Sequence, residues 1–259
     1  MKIAIVGCGV IGSALARHFA DKHQVLLSDH TYQKSLALAQ ALGAVAYESS
    51  VEAIEKAEMV IIAIKPKDLA AFAKDTAHAF KHGPIVVSVL AGTPVALLKR
   101  LFSSSLIVRI MPNLPMICGE GVIGFVDTPE MTDERKKHIE AAFEGLGLLH
   151  WISEDQLEAL SAIAGSGPAF NFVLIQAMID SGVMLGFTPE EAKEYVLKTI
   201  EGSVALLKAS GKTAQELIDQ VASPGGTTRA GLKVMEENDI HQILLDTYQA
   251  TFQRAKELH

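Results

Sequence analysis

The chain has 259 residues, enough for one large domain or two modest ones, and 49% hydrophobic residues, enough for a sizeable core. Its formal net charge of −7, with a pI near 5.7, argues against nucleic acid or an anionic membrane as partner. The two cysteines, Cys8 and Cys118, make no disulfide framework and have no zinc spacing, so no metal is expected and a reduced, cytoplasmic setting fits.

Met1-Lys2-Ile3 enters a strand directly, and no signal or transit segment is expected. The first strand signal, Ile3–Val6, runs into Gly7-Cys8-Gly9-Val10-Ile11-Gly12 and then a small-residue helix, Ser13–Asp21. This strand–loop–helix context, with Asp29 at the end of the next strand, is what the dinucleotide fingerprint requires. The first glycine makes the turn, the second admits pyrophosphate to the backbone, and the third lets helix and strand pack closely. The helix N-terminus favours the anion.

Further strands are expected at Gln24–Ser28, Ala44–Ala46, Met59–Ile64, Ile85–Val89 and Leu106–Ile110. Helical patterns lie between them at Gln33–Leu42, Val51–Lys56, Leu69–Phe80 and Val95–Phe102, the last with Thr93-Pro94 as cap and first helical residue. The alternation implies a doubly wound, mainly parallel Rossmann-type sheet. Three loops fall at strand ends, where open α/β sheets bind ligands: Ala63-Ile64-Lys65-Pro66, Ser88-Val89-Leu90-Ala91-Gly92 and Arg109–Pro115. A tail follows, with a strand at Val122–Val126, a charged helix from Thr132 to Glu144 and a strand at Leu148–Ile152.

The character changes at residue 152. Ser153–Gln156, Thr188–Glu191 and Thr213–Glu216 read as capping boxes, and few strand signals remain. The reading is a dinucleotide-binding domain, 1–152, followed by an all-helical dimerisation and substrate-binding domain, 153–259. The second is too short for a self-sufficient core, so it is expected to pair with a copy of itself. Ala159–Ile179 carries no charge and is long enough to span a bilayer. Its polar residues and acidic flanks favour instead a helix buried on all sides in protein, at a subunit interface.

Within the helical part, Ser223-Pro224-Gly225-Gly226-Thr227-Thr228-Arg229 precedes an amphipathic helix. Glycines before a helix leave N–H groups free to hold a carboxylate or phosphate, and the threonine hydroxyls and Arg229 strengthen that reading. Ala159–Ala192 has no Lys or Arg, and no His lies between His150 and His241. A carbonyl reductase normally needs such an acid for the developing alkoxide, whereas an imine can arrive protonated. The absence points toward C=N reduction.

Taken together, Ala63–Pro66, Arg109–Pro115, Gly165-Ser166-Gly167-Pro168-Ala169 and above all Ser223–Thr228 make the chain resemble the pyrroline-5-carboxylate reductase family over nearly its whole length. The resemblance implies a Rossmann-type domain and an interlocking helical dimer, with dimers assembled into decamers in many members. It also implies NAD(P)H-dependent reduction of 1-pyrroline-5-carboxylate, a small imino acid, to proline. Gly7–Gly12 (Gly7, Cys8, Gly9, Val10, Ile11 and Gly12) would hold pyrophosphate, and Ser50 would lie near the adenosine ribose. Ala63, Ile64, Lys65 and Pro66, with Leu90, Ala91, Gly92 and Asn113, would line the nicotinamide side. Ser223, Gly225, Gly226 and Thr227 would hold the substrate carboxylate, and the Thr228 hydroxyl would meet the ring nitrogen as the catalytic contact.

Two departures stand out. Leu114 occupies a usual threonine position. Asp29-His30 replaces a pair that in many bacterial members suits a 2′-phosphate. A carboxylate there repels phosphate and accepts from a ribose diol, which leans the choice to NADH over NADPH, softened by His30 and Lys34. Three other protein classes pair a dinucleotide fold with a helical domain or a dimer. A 3-hydroxyacid dehydrogenase needs a lysine on the first long helix of its second domain. A ketol-acid reductoisomerase needs clustered carboxylates for Mg²⁺. A redox-sensing nucleotide binder has no use for the Gly225–Thr228 nest. Cys8 fills a variable position of the fingerprint and reads as a small structural residue, though a place beside a helix N-terminus can lower a thiol pKa.

Overall fold

A computed structural model describes residues 1–257. Packing divides the chain into two units, one of residues 1–166 with the end of the last helix from Phe252, the other Gly167–Thr251.

The first unit carries an eight-stranded sheet. Its strands are β1 Lys2–Val6, β2 Gln24–Ser28, β3 Val45–Ala46, β4 Met59–Ile62, β5 Ile85–Ser88, β6 Leu106–Met111, β7 Gly121–Val126 and β8 Gly147–Ile152. They lie in the order β3-β2-β1-β4-β5-β6-β7-β8. All neighbours are parallel except β6 and β7. The chain moves outward from β1 to β3, then returns to the other side of β1 with β4, so a topological switch lies between β1 and β4.

The helices of this unit are α1 Val10–Ala20, α2 Tyr32–Leu42, α3 Ser50–Glu55, α4 Leu69–Thr76, α5 Val95–Leu101, α6 Asp133–Phe143 and the short α7 Leu157–Leu160. The strands are apolar throughout because both faces are covered. Ile3, Ile5, Val25 and Leu27 enter one core with Phe19 of α1 and Phe143 of α6. Ala4, Val6, Leu26 and Ile62 enter the other with Ile54, Phe80 and Phe102. The two-residue period of a strand divides its side chains between these cores. Edge-to-face rings stack Phe19 on Phe143 and Phe143 on Phe125, with Trp151 beyond.

Strand starts and ends fall close to expectation, with three local differences. Helix α1 begins at Val10 rather than Ser13, because Gly9 already serves as its N-cap. The stretch from Leu69 tightens at Ala77–Phe80 into a 3-10 turn. Thr93 and Pro94 do not start α5: Pro94 is an extended N-cap, Val95 is the first helical residue, and the capping acceptor is the Glu154 carboxylate, 2.8 Å from the Val95 nitrogen. Proline has no side-chain acceptor, so a distant residue supplies one.

The helical run after β8 opens on the expected Ser153–Gln156 capping box. Ser161–Ser166 then winds as a π-helix before α8, Gly167–Met184. Pro168 has no N–H to give the Ala164 carbonyl four residues back. The Asn113 side chain supplies that donor, with Nδ2 at 2.9 Å.

The second unit contains α8, α9 Pro189–Ser210, α10 Ala214–Val221, α11 Thr227–Glu237 and most of α12, Ile240–Glu257. The capping boxes at Thr188–Glu191 and Thr213–Glu216 are both formed. The cover expected for this helix at a subunit interface is not supplied by the single chain. In the single chain α8 is mostly exposed, with Phe172 at 59% and Val173 at 67%. Only a few helices belong to this unit, too few to surround α8. The stretch Glu154–Met184 is long and apolar enough to cross a membrane, by length and composition only.

Candidate active site

The glycine loop leaves β1 at the switch point, and each of its glycines does separate work. Gly7 has φ +101°, where side chains are strained, and a Cβ there would stand 2.5 Å from the Ala63 carbonyl oxygen. A Cβ on Gly12 would overlap the Gly7 carbonyl oxygen, so this glycine brings α1 against the turn. Gly9 is different, since nothing lies within 4 Å of where its Cβ would be. It is exposed at the head of an eleven-residue helix whose first N–H groups have no intrahelical acceptor. Close packing around Gly7 and Gly12 beside open space at Gly9 is the cradle a pyrophosphate needs.

Asp29 braces this loop. Its Oδ2 accepts the Cys8 N–H at 2.7 Å and its Oδ1 the Thr31 N–H at 2.8 Å. Each carboxylate oxygen keeps a second lone pair for a ligand. Nearby, Ser28 donates to the Ser50 hydroxyl at 3.1 Å, which ties the end of β2 to the start of α3. The place of Cys8 beside the α1 N-terminus does not lower its thiol pKa. Burial, reinforced by the Asp29 carboxylate, pushes it up to about 12, and Lys34 opposes this more weakly. Desolvation and a like charge outweigh the helix dipole.

Ala63 donates its N–H to the Val6 carbonyl, which carries the β4 end against the glycine loop. Ile64 is half-buried, whereas Lys65 and Pro66 are exposed. In the loop after β5, Leu90 is buried in the core, Ala91 is exposed and Gly92 takes φ +64°. The Leu90 side chain is therefore unavailable to a ligand. Asn113 is also largely committed. Besides the Ala164 bond, its Oδ1 accepts the Val122 N–H at 2.8 Å, which leaves one amide N–H. Arg109 is buried, with Nη1 2.8 Å from Glu154 Oε1 and Nη2 3.8 Å from Glu158 Oε1. Nothing in the residue pattern signals these partners, because Glu154 reads there as part of a capping turn.

In the second unit, Ser223–Thr228 is a turn leading into α11 with Gly226 as N-cap. Gly225 has φ +73°, and a Cβ on Gly226 would crowd the Ser223 hydroxyl at 2.7 Å. The expectation that Gly226 offers its N–H is corrected, since that group donates to the Ser223 carbonyl at 3.0 Å. Thr227 and Thr228 lie in the first turn, where N–H groups lack intrahelical acceptors. Arg229 faces Asp219 at 3.5 Å, so its charge is partly matched. Among the described residues no group of His, Cys, Asp and Glu could hold a metal ion.

This glycine loop at the switch of a parallel sheet defines the first unit as the dinucleotide-binding part of an oxidoreductase. Two family models match, one described as pyrroline-5-carboxylate reductase dimerisation over residues 154–258, the other as NADP oxidoreductase, coenzyme F420-dependent, over residues 2–92. Among curated relatives, a pyrroline-5-carboxylate reductase of Aquifex aeolicus is 34% identical over 100% of this chain and 97% of its own length. One from Pseudomonas aeruginosa is 30% identical over 99% and 96%. Of solved structures, Plasmodium falciparum pyrroline carboxylate reductase with NADP bound has a TM-score of 0.89 at 26% identity, covering 100% of this chain and 98% of that one. The chain belongs to the pyrroline-5-carboxylate reductase family.

Proposed function

We propose that the chain reduces the C=N bond of 1-pyrroline-5-carboxylate with NAD(P)H, giving L-proline, as the last step of proline biosynthesis. The observation that carries this reading is the pair of glycine turns, one built to admit a pyrophosphate, the other heading α11 with two threonines. NAD(P)H, when bound, supplies a hydride. The imine carbon accepts it, and the ring nitrogen, already protonated, becomes the amine of proline. No separate acid is then required, which suits an α8 without Lys, His or Tyr.

The chain's own work is to bind and orient. Gly7 through Gly12 hold the pyrophosphate, with Val10 and Ile11 contributing backbone, while Cys8, whose N–H is spent on Asp29, keeps the turn in shape. Ser50 and Asp29 lie on the adenosine side. Ala63–Pro66, Ala91 and Gly92 flank the nicotinamide, with the spare Asn113 N–H beside them. In the helical domain, 153–259, the N–H groups of Gly225 and Thr227 and the Ser223 hydroxyl hold the substrate carboxylate. The Thr228 hydroxyl meets the ring nitrogen. Thr228→Ala should lower kcat/KM about tenfold or more with folding intact. Unchanged kinetics would remove Thr228 from the mechanism.

The finer preference is for NADH. Asp29 places a negative charge at the end of β2, which repels a 2′-phosphate. Comparing kcat/KM for the two cofactors tests this, and a strong NADPH preference would overturn it. Asp29→Asn should raise relative use of NADPH. We also infer a cytoplasmic homodimer formed through the helical domain, with dimers assembling further toward a decamer, and no nucleic-acid or membrane partner. The apolar residues exposed on α8 support burial against a second copy.

A further inference from the structure

Arg109 sits at the carboxyl end of β6 with its side chain 2% exposed, and its Nε is buried with no hydrogen-bond partner. Its Nη1 donates to Glu154 Oε1 at 2.8 Å. The same carboxylate oxygen accepts the Val95 N–H, also at 2.8 Å. One atom thus joins the end of β6, the first turn of α5 and the turn that follows β8. A buried guanidinium paired with a carboxylate that is 37% exposed is a weak source of stability, and an unpartnered Nε makes it weaker still. What the pair does supply is direction.

The segment it directs is the loop between β5 and α5. That loop has slight internal ties: Leu90 N–H to the Ser88 hydroxyl at 3.3 Å, and the Thr93 hydroxyl to the Ala91 carbonyl at 3.3 Å. Gly92, at φ +64°, adds conformational freedom. After the buried Thr93 comes Pro94, the N-cap of α5, which has neither N–H nor side-chain acceptor. The firm anchor at this end of the loop is therefore Val95, through Glu154.

We infer that Glu154, aimed by Arg109, is a positioning residue for hydride transfer, holding the Ala91–Gly92 turn at the distance the reaction needs. The inference rests on the reading that this turn flanks the nicotinamide. Neither side chain needs to touch cofactor or substrate. Misplacement by a fraction of an ångström lowers the rate of transfer more than it lowers binding. Lysine at 109 keeps the charge but loses the planar fork that reaches Glu154 and Glu158 together. Glutamine at 154 keeps the shape but loses the charge that aims the guanidinium.

The test uses the full chain and the variants Glu154→Gln, Arg109→Lys and Arg109→Met. Steady-state rates are measured with pyrroline-5-carboxylate, and the primary isotope effect with 4-deuterated NADH. Reduced cofactor binding is followed by nicotinamide fluorescence without substrate. The expected result is a kcat about tenfold lower in Glu154→Gln, with KM for substrate within about twofold and a larger isotope effect. Arg109→Lys should recover part of what Arg109→Met loses. If Arg109→Met does not fold, Glu154→Gln and Arg109→Lys still decide. Variants with wild-type kcat and isotope effect, differing only in unfolding temperature, would overturn the inference. Inactivity of the wild type on pyrroline-5-carboxylate would count against the proposed function instead. The fluorescence of bound reduced cofactor, altered in Glu154→Gln if the inference holds and unaltered if it fails, would then still read out the loop.

Discussion

Gly9 and Gly12 share one motif but face opposite surroundings, and this separates ligand binding from folding at the scale of single residues. A methyl group at Gly9 meets empty space, so Gly9→Ala should fold with a loss of about 1 kcal/mol or less, the difference between these residues at an N-cap. The methyl would occupy the place left for the pyrophosphate, so KM for NAD(P)H should rise tenfold or more, read from initial rates. Gly12→Ala meets the Gly7 carbonyl and should instead lower the unfolding midpoint, read by circular dichroism. A second contrast involves the thiols. Cys118 is exposed, while Cys8 is partly buried with its pKa raised to about 12. A thiol-specific reagent at pH 8 should therefore modify Cys118 rapidly and Cys8 only after unfolding. Because the folded-state pKa of Cys8 lies above its ordinary 9.0, its contribution to stability is complete below about pH 9 and declines as pH rises toward 12.

At the scale of elements, the parts of the fold set by local rules were legible in the sequence. The three capping boxes each put Ser or Thr three residues before Gln or Glu, a spacing that reciprocal bonding requires. The buried strands read as short apolar runs because both sheet faces are covered. What was not legible depends on residues far apart in the chain. The Glu154 cap on α5 links positions 59 apart, and Asn113 reaches Ala164 across 51. No spacing rule signals such pairs. The π-helix at Ser161–Ser166 was also missed, although Pro168 hinted at a broken ladder. Among the site residues, the glycine loop could be read because backbone geometry dictates residue type. The inward turn of Leu90 and the spent N–H of Gly226 could not, since both follow from packing. The capping boxes also carry a pH signature. Hydrogen bonds from the backbone and hydroxyl of Thr188 lower the Glu191 pKa, and those of Thr213 lower that of Glu216. This stabilisation is present above the ordinary carboxyl pKa of 4.5 and is lost as pH falls through the lowered values. The double variant Thr188→Ala, Thr213→Ala should therefore be less stable at pH 7 and show a flatter acid limb in unfolding midpoint against pH.

At the scale of the whole molecule, the two units differ in how they use apolar residues. The sheet unit buries them in two cores. The helical unit leaves Phe172, Val173, Met184 and Leu185 exposed in the single chain. Such a surface on a protein of this family calls for a second copy. Sedimentation should give at least twice the chain mass, and Phe172→Asp with Val173→Asp should shift the protein toward monomer. The central claim, imine reduction, is tested most directly by NADH and NADPH oxidation with 1-pyrroline-5-carboxylate beside a simple 2-oxo acid. The expected result is rapid oxidation with the imine, proline as product and negligible oxidation with the oxo acid. Oxidation with the oxo acid alone, or with neither compound, would contradict it.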